Sequence, residues 1–528
     1  MSCGWTTSDA CARRNGGFRS KRFAKRGTLR VAVLAGVIFM TLVSAGAGWG
    51  ASAPYDPAFD VNSMFSTTAY SGARNWWAAG YTGKGVDVAV IDTGVAPVQG
   101  LSAPGKVVYG PDLSLESQAP NLRNLDTNGH GTFMAGLIAG RDDAMVAPYA
   151  LAPASQYSGM APDARIVSLK VGTADGGVDV SQVVAAIDWV IQHAHDPGFN
   201  IRVINLSYGT NSTQDSTLDP LAYAAEQAWK KGIVVVAAGG NYGFQNQMNN
   251  APALTDPGFD RFLLAVGASD SEGTATVSDD QVPAFSPWPK RGATRGVDLV
   301  APGTHLQGLR VPNSYVDANH PEGLIDSRYF RGSGTSEAAA ITSGAAALVL
   351  QKYPNATPDQ VKRLLTSTAY PIPAKAQAIG GGELQLGSTL KAALPSSAQT
   401  WPSSAGTGSL ELARGTDHLS RDGVALTGEK DIFGHAFNAA AMATAEAAGS
   451  SWSGGSWNGS TWSGSSWSGS SWSSSSWSGS SWSGSSWSSS SWSSSSWSGS
   501  SWSGSSWSGS SWSGSSWSGS AWATGYWG

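Results

Sequence analysis

The sequence predicts an α/β fold in which a parallel central sheet is flanked by helices on both faces. Three observations predict it. Short apolar runs recur between residues 86 and 269, longer stretches with helical spacing separate them, and polar residues gather where the runs end. Short strands buried on both faces and alternating with helices are the sequence pattern of βαβ units. Ligands of such folds sit outside the carboxyl ends of the strands, which makes the polar clusters there the candidate sites.

The first 53 residues read as an export segment. Eight Lys/Arg and one acid occupy them, and the basic residues precede the uncharged run VAVLAGVIFMTLVSAGAG (31–48). A basic region followed by an apolar stretch and small residues is a signal peptide, with cleavage expected after Ala47 or Ala53. An uncleaved signal anchor with the basic flank inside is the alternative. Both place the body outside the cytoplasm, secreted or attached to the cell surface. The only cysteines, Cys3 and Cys11, precede the apolar run, so an exported body relies on its core and not on disulfides.

The body spans 62–394. Its strands are expected at VDVAVID (86–92), ARIVSLKV (164–171), IRVINLS (201–207), GIVVVAAG (232–239) and RFLLAVGAS (261–269). Its helices are expected at GTFMAGLIAG (131–140), SQVVAAIDWVIQHA (181–194), LDPLAYAAEQAWKK (218–231), GTSEAAAITSGAAALVLQK (334–352) and TPDQVKRLLTSTA (357–369). The last carries a full start signal: Thr357 as N-cap, Pro358 at the first helical position and Gln360 three residues after the cap. Residues 395–450 have the composition of a linker, with two short strands expected around LELA and VALT. From 451 to 528 Ser and Gly dominate, no charge occurs, and sixteen Trp recur every fifth position from Trp452 to Trp527. A period of five matches neither a strand nor a helix, so this low-complexity tail is expected to be disordered. Its Trp faces suit sugar rings, which suggests attachment to glycans, the cell wall or another surface.

Charge excludes other classes. Charged residues are only 13% of the chain, and beyond residue 53 it carries 25 basic and 36 acidic residues, a net of −11. That is neither a nucleic-acid binder nor a polyelectrolyte.

Four clusters stand at the ends of the apolar runs. Asp92 with Thr93 and Gly94 follows VAVI; alone, such a carboxylate is most often a turn former. His130 lies in NGHGT (128–132) between two glycines, just ahead of a helix of small residues. The other six histidines show no metal-ligand spacing. Ser336 in GSGTSEAAAITSG (332–344) sits at the turn into a helix, where a serine is either a cap or a nucleophile whose own N–H helps to hold an oxyanion. Asn241 ends VVVAAGGN (234–241); it is either a turn residue or an amide donor to that oxyanion.

Taken together these segments resemble the subtilisin-like serine peptidases, the subtilases, over about 62–394. AVIDTGV is similar to that family's aspartate motif, NGHGTFMAG to its histidine motif, INLSYG and VAAGGN to its substrate and oxyanion segments, GTSEAAA to its serine motif, and VDLVAPG (297–303) to the strand before it. The resemblance implies a serine endopeptidase acting on polypeptides, with Ser336 as nucleophile, His130 as general base and acid, Asp92 as its orienting carboxylate and Asn241 as an oxyanion donor. It also implies that Asp175, Gly176 and Gly177 form an edge for extended substrate. Ser207, Tyr208 and Gly209 would then line one wall of the primary pocket and Ala238, Gly239 and Gly240 the other, leaving room for a large apolar side chain. Core packing is the other reading of Tyr208. No cofactor is required for the chemistry; structural calcium is common in the family, but no liganding loop can be matched here.

Three departures accompany the resemblance. Glu337 stands where the family usually has Met, and Ala340 where it has Pro. Little chain separates Pro54 from Asp92, which is expected to leave no room for the pro-segment common in secreted relatives. Calcium stays unassigned. A catalytically silent, subtilase-like surface binding protein is the alternative function. An esterase or lipase is disfavoured, because Ser336 lacks the GxSxG setting.

Overall fold

The computed structural model describes residues 54–119, 121–244, 253–290, 295–421, 424–462 and 524–527; the basic and apolar residues 1–53, expected to serve export, and the repeats from 463 to 523 lie outside the described residues. Among the described residues no helix is long and apolar enough to cross a membrane.

Seven parallel strands form the central sheet: β1 (Asp87–Asp92), β2 (Val107–Asp112), β3 (Arg165–Lys170), β4 (Ile201–Leu206), β5 (Val234–Ala238), β6 (Leu264–Ser269) and β7 (Leu299–Pro302), in the order β2-β3-β1-β4-β5-β6-β7. The five expected runs are β1, β3, β4, β5 and β6; they are apolar almost throughout because the sheet buries both their faces. The edge strand β2 carries Gly110 and Pro111 and is half exposed, so it has no buried run to betray it. The helices expected between strands are α1 (His130–Ala139), α2 (Val180–His193) and α3 (Pro220–Lys230), and the late pair is α4 (Thr335–Lys352) and α5 (Pro358–Ser367). The capping box of Thr357 and Gln360 is present at the start of α5. Helix α4 is buried from Thr335 to Leu350, and its many Ala, Gly, Ser and Thr residues let neighbouring elements pack closely around it.

Beside this sheet, β8 (Leu306–Leu309) and β9 (Tyr329–Gly334) form an antiparallel pair that leads directly into α4.

Among the described residues after 394, helices and strands stand where a linker and the two ends of a disordered tail were expected; residues 463 to 523 of that tail lie outside the described residues. Of the two expected short strands, LELA is instead the start of a helix, α6 (Leu410–Arg414). VALT contributes Val424–Ala425 to a hairpin, β10 (Ser420–Arg421) with β11 (Val424–Ala425). Helix α7 (Ala439–Ala447) follows. The first Trp repeats then make a small antiparallel sheet, β12 (Trp452–Ser453), β13 (Ser456–Trp457) and β14 (Ser460–Thr461). This sheet is held by long-range contacts. Trp457 is fully buried and donates its indole N–H to Asp188 on α2 at 2.7 Å, and Trp452 donates to the Ala185 carbonyl at 2.8 Å. Phe433 meets Trp462 edge-on with ring centres 4.7 Å apart. Arg414 is buried, pairing with Asp179 at 2.6 Å and donating to the Gly428 and Lys430 carbonyls. Phe433, Trp457 and Trp462 join the main hydrophobic core of the body, and Trp452 packs against it. At the far end of the tail, β15 (Thr524–Trp527) pairs antiparallel with β9.

Candidate active site

Asp92 is the last residue of β1, and its Oδ1 lies 2.7 Å from His130 Nδ1; Thr93 N–H donates to the same oxygen at 2.8 Å. His130 opens α1, and the chain reaches it through Gly129 at φ +108°, a conformation that favours glycine. Next to it Gly131 allows a contact no side chain would: a Cβ there would lie 2.2 Å from the Gly94 carbonyl oxygen. Small residues thus let the histidine loop press against the end of β1.

The loop is anchored by a residue that sequence reasoning passed over. Asp126 is buried and accepts from Gly129 N–H at 2.7 Å, Thr132 N–H at 2.7 Å and the Thr93 hydroxyl at 2.8 Å. Its spacing, four residues before the histidine, was the available signal. A buried ion pair lies alongside. Lys170, opposite Asp92 in the β1–β3 register, sits 3.0 Å from Glu116 and donates to the Thr93 carbonyl at 2.7 Å. Nothing in the local sequence announces Glu116 as its partner.

Ser336 lies in the first turn of α4. Its hydroxyl donates to the Ser207 carbonyl at 3.2 Å, and the Ser207 hydroxyl donates to the Ser336 carbonyl at 3.3 Å. Asn241 approaches the same turn: its side-chain carbonyl accepts from Thr335 N–H at 3.0 Å and from the Thr335 hydroxyl at 3.1 Å. Anchoring that end fixes the plane of the amide. The ends of β4, β5 and β9 therefore converge on the start of α4, and the end of β1 on the start of α1.

Burial alone would push the His130 imidazole down, but the Asp92 carboxylate, by charge and hydrogen bond, together with Glu337 and Asp126, holds its pKa above the ordinary value. Glu337 is itself buried, so its charge acts through little solvent.

The expected substrate walls are mixed. Residues 173–177 close on themselves as a turn, with Gly176 N–H donating to the Thr173 carbonyl at 2.9 Å and Thr173 N–H to the Gly177 carbonyl at 3.1 Å. Burial lifts the Asp175 carboxyl above its usual range, against a hydrogen bond from Thr173. Tyr208 lies within the core. Gly209 and Gly240 both face Thr255, whose side chain leaves no space for a Cβ at either; a Cβ would fall 2.4 Å and 2.5 Å from it. Thr255, not singled out from sequence, therefore lies against a glycine of each expected wall, while Gly239 packs against Pro287. Among the described residues no group of three or more His, Cys, Asp or Glu is arranged to hold a metal ion.

A sequence model of the subtilase family matches residues 83–408. Serine protease AprX of Bacillus subtilis (strain 168) is 37% identical over 291 residues, 54% of this chain and 61% of that protein. This chain therefore spans less than two thirds of AprX. Subtilisin DY of Bacillus licheniformis is 34% identical over 295 residues, covering 55% of this chain and 86% of that one. Among solved structures, a cold adapted subtilisin-like serine proteinase overlaps 58% of this chain and 89% of its own at 28% identity, with a TM-score of 0.42.

Proposed function

The chain belongs to the subtilase family, and we propose that it is a serine endopeptidase working through Asp92, His130 and Ser336. The observation that carries the proposal is the buried 2.7 Å contact between Asp92 and His130 Nδ1, at the carboxyl end of a parallel sheet where Ser336 begins a helix.

A serine hydroxyl of ordinary acidity is a weak nucleophile, so His130 Nε2 takes its proton as Oγ adds to the scissile carbonyl carbon. Asp92 holds the proton on Nδ1, which keeps Nε2 the basic nitrogen, and it stabilises the imidazolium. The oxyanion is stabilised by the Asn241 amide and the Ser336 N–H. His130 then protonates the leaving amine, and water attacks the acyl ester by the same route in reverse. Substrate would lie extended between 175–177 and 207–209, with Ala238, Gly239 and Gly240 flanking the primary side chain. We assign the body to the outside of the cell, exported by residues 1–53, and the Trp repeats to attachment at a glycan-rich surface.

The test is labelling with a fluorophosphonate, beside Ser336→Ala and His130→Ala. An adduct on Ser336 that both variants lose, with parallel loss of casein cleavage, is expected. Absence of any adduct from the folded protein would leave the silent binding protein as the better reading.

A further inference from the structure

Between 463 and 520 the tail contains only Ser, Gly and Trp, but at its two borders other residues enter: Asn458 and Thr461 on one side, Ala521, Ala523, Thr524 and Tyr526 on the other. Among the described residues of the tail, those borders contain the stretches that form strands. The first folds on α2. The second, β15, joins the strand that leads to Ser336, with Thr524 opposite Gly334, Tyr526 opposite Ser333 and Trp527 opposite Gly332. Thr and Tyr are residues that favour strands.

The position is the substance of the inference. Paired strands lie about 5 Å apart, and two extended residues span about 7 Å, so the backbone of Thr524 lies within a few residues' reach of the nucleophile. Main-chain pairing to such an edge is how an extended polypeptide is held, and one occupant excludes another. A second observation agrees. Ser336 is 0% and His130 1% exposed, and Ser333 and Gly334 are buried, although an endopeptidase must bring a polypeptide to this serine.

We propose that Thr524–Trp527, paired on β9 two residues before the nucleophile, is an intramolecular occupant of the approach to Ser336, holding the peptidase closed until the strand is withdrawn. The inference rests on the peptidase reading above. An occupant on the same chain needs no high concentration to compete, and a substrate reads only the fraction of molecules in which the edge is free.

The experiment uses the full chain with Thr524→Pro and Tyr526→Pro together, because proline removes the N–H that strand pairing needs. Hydrogen exchange over Arg331–Gly334 is measured in the Ser336→Ala background, and fluorophosphonate labelling of Ser336 in the active one. The prolines are expected to speed exchange in that segment and to raise the labelling rate at least about tenfold. A synthetic peptide of sequence 521–527 added in trans is expected to slow labelling again. Unchanged exchange overturns the inference whatever the labelling does, and so does faster exchange with an unchanged labelling rate. Faster exchange with no labelling in any variant refutes the peptidase reading instead and takes this inference with it.

Discussion

Asp188→Asn should raise stability at pH 8 and leave it almost unchanged at pH 4. Asp188 is 1% exposed on α2 and accepts the indole N–H of Trp457 at 2.7 Å. Burial pushes its carboxyl from 3.8 up to about 7, against hydrogen bonds from Trp457 and Ser451. The groups that face it supply no compensating cation. Glu446 on α7 is buried and is raised, first by desolvation and then by the charge of Asp188; Tyr223 on α3 is neutral; the Lys230 ammonium pairs with Glu226 at 3.1 Å. An acid whose folded pKa lies above its unfolded one stabilises the fold fully below the unfolded value, and that contribution is lost as pH rises through the folded value. The window here runs from about pH 4 to pH 7, and a rise of about three units at 1.36 kcal/mol each sets an upper bound of about 4 kcal/mol. Asparagine keeps the size and the acceptor for Trp457 without the ionisation. Thermal unfolding of the full chain in the Ser336→Ala background, in half-unit steps from pH 4 to 8.5, reads this directly. Midpoints of parent and variant should meet near pH 4 and diverge above pH 6, with the variant higher. Parallel curves across that range would refute the reasoning.

Three further outcomes are expected. Asn241→Ala should lower kcat about 100- to 1000-fold with little change in KM, measured on a peptide amide; a variant turning over at the parental rate would remove Asn241 from the oxyanion site. Glu337→Gln deletes a buried negative charge that raises the His130 pKa, so the acid limb of the kcat/KM profile, where the imidazole must be neutral, should move to lower pH. An unmoved limb would mean that Glu337 does not act on the histidine. Arg414→Ala leaves Asp179 buried without its partner and should destabilise the protein by about 3–5 kcal/mol in denaturant titration, with Asp179→Asn in the same chain recovering part of the loss.

What was legible in the sequence was what neighbouring residues decide. A strand buried on both faces must be apolar along its length, so β1 and β3 to β6 stood out; the half-exposed edge β2 did not. The start of α5 was legible because Thr357, Pro358 and Gln360 satisfy its first N–H groups locally. The candidate site was legible because Asp92, His130, Asn241 and Ser336 each stand in a short segment of fixed chemistry at the end of an apolar run.

The tertiary structure decided the partners. Glu116 on Lys170, Thr255 against Gly209 and Gly240, and Asp179 on Arg414 are pairings across long stretches of chain, where nothing local marks the second residue. The C-terminal region is the sharpest case. Its composition is that of a chain with too few aliphatic side chains to order itself, and by itself that expectation is sound. Residues 452–462 are ordered because α2 supplies the apolar surface and the carboxylate that Trp457 needs, and Thr524–Trp527 because β9 offers an unpaired edge. A segment that cannot bury its own surface takes its structure from the surface it meets, and that surface is set by the fold of the rest of the chain.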